Sequence, residues 1–213
     1  MARRLSTSIL LLITAPSGAG KTTVSRNLLA ATPGLERVIT CTTRAPRGGE
    51  RDGVDYHFLA PPVFAERVAA GEFLEHAEVY GNRYGTLKSE ALARLERGRD
   101  VLLAVDVQGA ESIRRAAAAE PLLRSALVSV FIMPSSLAEL ERRLRGRAED
   151  APEVIRRRLE VARQEITQWP GCDYVVVSGT EQEDLAAVQG ILSTEKLRSS
   201  RVRKLELEEV GLS

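Results

Sequence analysis

The sequence predicts an α/β fold, a doubly wound five-stranded parallel sheet with an inserted α+β lobe and a short lid. Five short apolar runs are spread along the 213 residues, and helical patterns stand between most of them. From about residue 43 to residue 99 that alternation breaks into shorter, more polar pieces. Strands alternating with helices build a parallel sheet covered on both faces, and a break in the rhythm marks an insert. The length suits one such domain with a smaller insert and no stapling.

The strands are read at Ile9–Thr14, Val38–Thr42, Val101–Asp106, Leu127–Met133 and Tyr174–Val177. Each is a continuous apolar run, the pattern of a strand buried on both faces. Helices are read at Lys21–Ala31 and Ala110–Ala119. Ser136–Arg145 opens with Ser136 and Glu139 at capping-box spacing and carries Leu137, Leu140 and Leu144 on one stripe. Glu153–Ile166 repeats the stripe with Ile155, Leu159, Ala162 and Ile166. The insert holds strand-like pieces at Tyr56–Leu59 and Phe73–Val79, a helix beginning near Pro61 and a Gly81-Asn82 turn. The division expected is a core of residues 1–42 and 100–193, a lobe of 43–99 and a polar, arginine-flanked lid at about 146–152. The charged segment 194–213 is read as a tail, a solvated helix that frays rather than a partner-binding appendage.

A formal charge of +1 argues against a large basic face for nucleic acid and against an acidic solvating tail. Cys41 and Cys172 are far apart and form no CxxC, so neither zinc nor a disulfide framework is suggested. His57 and His76 are too few for a histidine-rich metal site. The opening MARRLSTSILLLITAPSG mimics a signal peptide, but its apolar run of about eight residues leads into a glycine-rich loop. No run approaches membrane-spanning length. A cytoplasmic protein with neither a membrane nor a nucleic-acid partner is expected.

That glycine-rich loop, APSGAGKTT, follows an apolar strand and opens an amphipathic helix, the setting of a phosphate-binding P-loop. Inward-pointing N–H groups and the helix N-terminus suit a polyphosphate. Ala15, Pro16, Ser17, Gly18, Ala19, Gly20, Lys21, Thr22 and Thr23 form the expected ATP-binding set. Lys21 would neutralise the β/γ oxygens and the Thr22 hydroxyl would ligate Mg²⁺. Ala15 stands where the pattern begins with glycine. A Cβ there costs roughly 1–2 kcal/mol only if the chain must be left-handed.

TTRAPRGGERDGVDYHF, residues 42 to 58, reads as a second anion site. Ala45-Pro46 stiffens the backbone between Arg44 and Arg47, Glu50 and Asp52 can pair with those guanidiniums, and Tyr56 offers a phenolic donor.

With these motifs the sequence resembles the guanylate kinase family over roughly residues 8 to 190, carried by APSGAGKTT, TTRAPRGGERDGVDYHF, GEFLEHAEVYGNRYGT, VDVQGA and ERRLRGRAED. The resemblance implies a P-loop NTPase-type core whose lobe binds GMP. Arg44, Arg47, Tyr56 and Tyr84 would hold the monophosphate, with Glu50 bracing the arginines. Guanine presents N1–H and an amino group side by side, both donors, and Glu75 would accept them, whereas adenine offers an acceptor at N1. Thr40 and Thr86 would stand near O6 and the purine. Sites built on buried hydrogen-bond partners reject a mismatched analogue by factors on the order of 10⁴.

Phosphoryl transfer is positioning plus cations. Arg143, Arg147 and Arg158 match family arginines that close over the phosphates, and with Lys21 they are the expected catalytic set. Arg142, Arg145, Arg156 and Arg157 are read as solvated. Asp106 ends a strand beside the P-loop strand, where doubly wound folds bind ligands. It either touches guanine's amino group, as the family favours, or holds Mg²⁺ through water. Two departures from the family pattern stand out: Ala104, where an acid is usual, and Ser178, where an asparagine is typical. The reaction implied is MgATP + GMP (or dGMP) → ADP + GDP (dGDP), a step in purine nucleotide metabolism, with Mg²⁺ as cofactor. The rival reading is a non-catalytic guanylate-kinase-like binding module, disfavoured by the presence of Lys21 and Thr22. A kinase for phosphorylated sugars is disfavoured by Glu75, Tyr84 and Thr40 together.

Overall fold

Leu10–Thr14 (β1) lies at the centre of a parallel sheet, and its side chains alternate between two cores. Ile9, Leu11 and Ile13 pack into one apolar cluster and Leu10 and Leu12 into the other. The structure, a computed structural model, describes residues 7–79, 81–146 and 152–202. β1 pairs in parallel with Asp100–Val105 (β7) and Leu127–Met133 (β8); outside these lie Leu35–Arg37 (β2), against β7, and Tyr174–Val177 (β9), against β8.

Helices close both faces, as the continuous apolar strands require. Lys21–Ala31 (α1), Leu137–Arg145 (α6), Pro152–Ile166 (α7) and Glu181–Lys196 (α8) supply the first cluster, through residues such as Val24, Leu28, Leu140, Ala162 and Val188. Lys88–Glu96 (α3), Val107–Ala119 (α4) and Pro121–Ala126 (α5) supply the second, through Ala91, Leu95, Ile113 and Leu123. Burying each of the valines, leucines and isoleucines among them contributes about 1.5–3 kcal/mol.

The insert has its own sheet. Cys41–Thr42 (β3), His57–Phe58 (β4), Phe73–Val79 (β5) and Asn82–Leu87 (β6) run in the order β4-β3-β6-β5. Pro61–Ala69 (α2) starts on two prolines and packs Phe64 against Phe73, rings stacked at 4.6 Å. A small core of Cys41, Phe64, Phe73 and Leu87 results. The doubly wound core, the α+β insert and the strands at 127–133 and 174–177 agree with the sequence reading; within the insert β3 pairs with β4 in parallel and the other pairs are antiparallel.

Four expectations need correction. The outer strand expected at Val38–Thr42 is Leu35–Arg37, and Cys41–Thr42 instead joins the insert's sheet, with Cys41 opposite Gly85. Helix α3 falls within 43–99 yet packs on β7, because Ala91 and Leu95 share the core with Val101 and Leu103. The capping box at Ser136 is half formed: Ser136 accepts the Glu139 N–H at 3.0 Å, while the Glu139 carboxylate turns to Arg142 and Arg143. The full box is at Thr180 and Glu183, opening α8.

The fourth correction concerns the tail. Up to Val202 it is anchored through Glu195, Lys196 and Arg201, while Thr194 and residues 197–200 are exposed. Arg201 is 6% exposed, pairs with Glu195 at 3.0 Å and donates to the carbonyls of Ser125 and Leu127. Its own carbonyl accepts the Thr7 N–H. Lys196 pairs with buried Asp100, whose carboxylate accepts the Ile9 N–H. Residues 203–213 lie outside the described residues. Among the described residues no helix is long and apolar enough to cross a membrane.

Candidate active site

The loop between β1 and α1 takes its shape from two left-handed glycines, Gly18 at φ 90° and Gly20 at φ 100°. A side chain is strained at either, and at Gly18 a Cβ would also stand 2.9 Å from Leu144 of α6. Gly20 is the N-cap of α1 and has no side chain to satisfy the first-turn N–H groups, which leaves them for an anion. Ala15, Pro16 and Ala19 are buried beneath the loop, while Thr22 is exposed and Thr23 half-buried on the first turn of α1.

Lys21 and Thr22 share one cavity of about 530 Å³ with Thr40, Tyr56 and Thr86 from the insert and Ala104 and Val105 from the end of β7. Burial holds the Lys21 ammonium below the ordinary lysine range, against the pull of Asp106, Glu165 and Glu75, in that order. The Lys21 ammonium thus lies in the field of three carboxylates, from β5, from α7 and from the residue that precedes α4.

On the insert, β5 and β6 bring Glu75 opposite Thr86. Both are buried, and the Thr86 hydroxyl donates to the Glu75 carboxylate at 2.7 Å. Burial pushes the Glu75 carboxyl above its ordinary value, partly offset by Thr86, with Asp106 adding to the rise. Asp106 caps α4, accepting the Gly109 N–H at 2.7 Å, and it lines a cleft with His76 and Glu165.

Arg44 and Glu50 form an ion pair at 2.8 Å, and the second Glu50 oxygen accepts the Arg47 N–H at 2.7 Å. One carboxylate therefore braces the Arg44 side chain and the Arg47 backbone, which holds its pKa low, by the Arg44 bond first and then the Arg47 amide. Glu50 and, more weakly, Tyr84 raise the pKa of Arg44 above that of an ordinary arginine. The Arg44 guanidinium lies 5.4 Å from the centre of the Tyr56 ring, and the Tyr56 and Tyr84 rings meet edge-on at 6.1 Å. Asp52, expected to help orient the arginines, accepts the Phe58 N–H instead. The Arg47 guanidinium is exposed and has no ion-pair partner among the described residues.

Arg143 projects from α6 onto the P-loop. Its Nε donates to Glu139 at 2.8 Å, and its Nη1 lies 3.1 Å from Ser178 Oγ and 3.4 Å from the Ala19 carbonyl. Arg158 is half-buried on α7, which packs against α6. Arg147 and all of the lid except Gly146 and Pro152 lie outside the described residues.

Sequence reasoning missed Glu165 and Asp184. Glu165 is on α7 and accepts the Ser17 N–H of the P-loop at 3.2 Å across 148 positions. Burial raises its pKa, opposed by the Ser17 bond. Asp184 accepts from Ser178 Oγ and from the Gly179 N–H, both at 2.8 Å. In the sequence both look like ordinary solvated helix acids, and no local pattern distinguishes them.

A guanylate kinase family model matches residues 7–195. A guanylate kinase of Paramagnetospirillum magneticum is 48% identical over 193 residues, covering 91% of this chain and 87% of that protein. A guanylate kinase of Cereibacter sphaeroides is 46% identical over 203 residues, covering 94% and 92%. The crystal structure of guanylate kinase from Anaplasma phagocytophilum matches with a TM-score of 0.72 at 32% identity, covering 98% of this chain and 97% of that one. On sequence and fold alike, the chain belongs to the guanylate kinase family.

Proposed function

We propose that this chain is an ATP:GMP phosphotransferase, moving the γ-phosphoryl group of ATP to GMP or dGMP in the cytoplasm. The observation that carries this reading is the single cavity in which Lys21 and Thr22 of the P-loop face Thr40, Tyr56 and Thr86 of the insert, with Glu75 hydrogen-bonded behind Thr86. A triphosphate on the loop and a purine monophosphate on the insert would meet end to end there.

In this reading the donor rests on residues 15–23, with the N–H groups around Gly18 and Gly20 on its phosphates and Lys21 on the migrating group. Arg44, Arg47, Tyr56 and Tyr84 hold the acceptor phosphate. Glu50 preorganises the Arg44 guanidinium and the Arg47 backbone, so little of the Arg44 side-chain entropy remains to be lost on binding. Glu75 accepts guanine's paired donors, with Thr40, Thr86 and Asp106 at the edges of the base. Arg143, Arg147 and Arg158 spread positive charge over the transferring group, the electrostatic contribution on which phosphoryl transfer depends. The acceptor phosphate is already anionic, so no general base is required.

Among the described residues no group of three or more His, Cys, Asp or Glu side chains could hold a metal by itself. Thr22, exposed beside Lys21 in the cavity, suits a hard cation that keeps several waters and takes its other oxygens from phosphates. Magnesium fits that donor set, and when bound it would neutralise β- and γ-oxygen charge.

The deciding test is ADP release from MgATP, measured in turn with GMP, dGMP, AMP, CMP and UMP. Turnover confined to the guanine nucleotides is expected. Equal turnover with AMP, or none with any acceptor, would overturn the reading.

A further inference from the structure

Asp184 is 5% exposed and Ser178 3%, and Asp184 has no ion-pair partner among the described residues. A buried carboxylate without a cation is costly unless hydrogen bonds satisfy it and its charge is used elsewhere. Its oxygens are satisfied, one by the Gly179 N–H and one by the Ser178 hydroxyl, each at 2.8 Å.

The Ser178 bond has a direction. A carboxylate only accepts and a guanidinium only donates, so the hydroxyl proton points at Asp184 and the oxygen lone pairs face Arg143. The Arg143 Nη1 donates into that lone pair at 3.1 Å, and Glu139 takes the Nε–H from the opposite side at 2.8 Å. Nη1 also stands 3.6 Å from the position a Cβ would occupy on Gly20, so the guanidinium abuts the P-loop. Nη2 has only a long contact, 3.5 Å, to the Gly179 carbonyl. One of its N–H groups therefore remains for a ligand in the adjoining cleft of about 480 Å³, which Gly18, Gly20, Thr23 and Arg143 line.

We propose that Asp184 is a positioning residue of the phosphoryl-transfer site: through the Ser178 hydroxyl it locks the Arg143 guanidinium against the P-loop before the donor nucleotide arrives. Ser178 meets the arginine directly, and Asp184 behind it fixes which way that hydroxyl faces. The proposal rests on the reading of Arg143 as a phosphate-facing arginine.

The test compares steady-state kinetics of Asp184→Asn, Ser178→Ala, their double variant and Arg143→Ala, each normalised to folded protein by circular dichroism. In Asp184→Asn, with the amide oxygen kept on Gly179, the NH₂ faces Ser178. The hydroxyl then loses the acceptor that fixed its direction, and its lone pair is no longer held on the arginine. Misplacement of that kind costs roughly 10- to 100-fold in kcat, with the KM for GMP unchanged. The double variant should fall no further than Ser178→Ala, because both act on one arginine. Ser178→Asn/Asp184→Ala, which restores a direct acceptor, should recover most of kcat. Full turnover by Asp184→Asn beside an impaired Arg143→Ala would overturn the relay. So would a loss confined to melting temperature, with kcat per folded molecule unchanged. Full turnover by Arg143→Ala would instead overturn the underlying reading of that arginine. If Asp184→Asn does not fold, Ser178→Ala and the rescue variant decide: loss and recovery support the relay, and their absence ends it.

Discussion

Glu75 and Thr86 face each other across β5 and β6, both buried, with the threonine hydroxyl donating to the carboxylate at 2.7 Å. A carboxylate set this way keeps free lone pairs for two adjacent donors. Glu75→Gln substitutes an NH₂ for one acceptor, and the preference for GMP over AMP should drop roughly 10- to 100-fold, the worth of a hydrogen bond to a charged group. Competition kinetics with the two nucleotides would measure it, and unchanged selectivity refutes the assignment.

The same carboxyl predicts a pH effect. Its folded pKa lies above the ordinary 4.5, mainly through burial. The folded state thus holds this proton more tightly than the unfolded chain, so Glu75 favours the fold below 4.5 and loses that contribution as pH rises through the raised value. GMP binding has the opposite sense, since only the ionised form accepts both donors. Affinity for GMP should weaken on acidification at a pH above 4.5, and that inflection should vanish in Glu75→Gln, as calorimetric titration between about pH 4 and about pH 8 can show.

Lys21 separates turnover from stability. Its pKa is depressed from 10.5 chiefly by burial, so the unfolded chain holds the proton more tightly, and the charged side chain detracts from stability throughout the neutral range. Lys21→Met should therefore melt no lower than the parent, and modestly higher at neutral pH. Turnover should fall by at least about 10²–10³, with GMP affinity largely retained. A variant that lost GMP binding as severely as turnover would contradict the role given to Lys21.

Glu50 bridges Arg44 and the Arg47 amide. Its loss should act on the acceptor alone, raising the KM for GMP by up to about fivefold, the scale of an ion pair open to water worth about 1 kcal/mol. The KM for ATP should stay put. A change in the ATP constant of equal size would show that the pair organises more than the phosphate pocket.

Arg201 tests the anchored end of the chain. Glu195 and the Ser125 and Leu127 carbonyls lose their partner in Arg201→Met, and breaking a buried pair costs about 3–5 kcal/mol. A melting point lower by roughly 6–20 °C is expected, with kcat unchanged well below the transition. A shift under about 2 °C would mean that this anchor is dispensable.

What the sequence determined by itself is whatever local rules govern. Continuous apolar runs placed β8 and β9, the glycines and Lys21 announced the anion loop, and 3.6-residue spacing located α1, α6 and α7. The arginine-rich stretch and Glu75 were legible as candidates because their residue types and order carry the family resemblance. Tertiary structure decided what depends on chain segments meeting. Cys41–Thr42 left the main sheet because β6 offered it a partner edge. Glu165 reached Ser17 across 148 positions, and Asp184 turned from an ordinary helix acid into the anchor of Ser178 and Arg143. The charged residues after Thr194 looked solvated because their partners, Ser125 and Leu127, lie more than 70 positions away. A side chain's charge and hydrogen-bonding capacity are written in its identity, but whether burial makes them costly or useful is set only when the distant partner arrives.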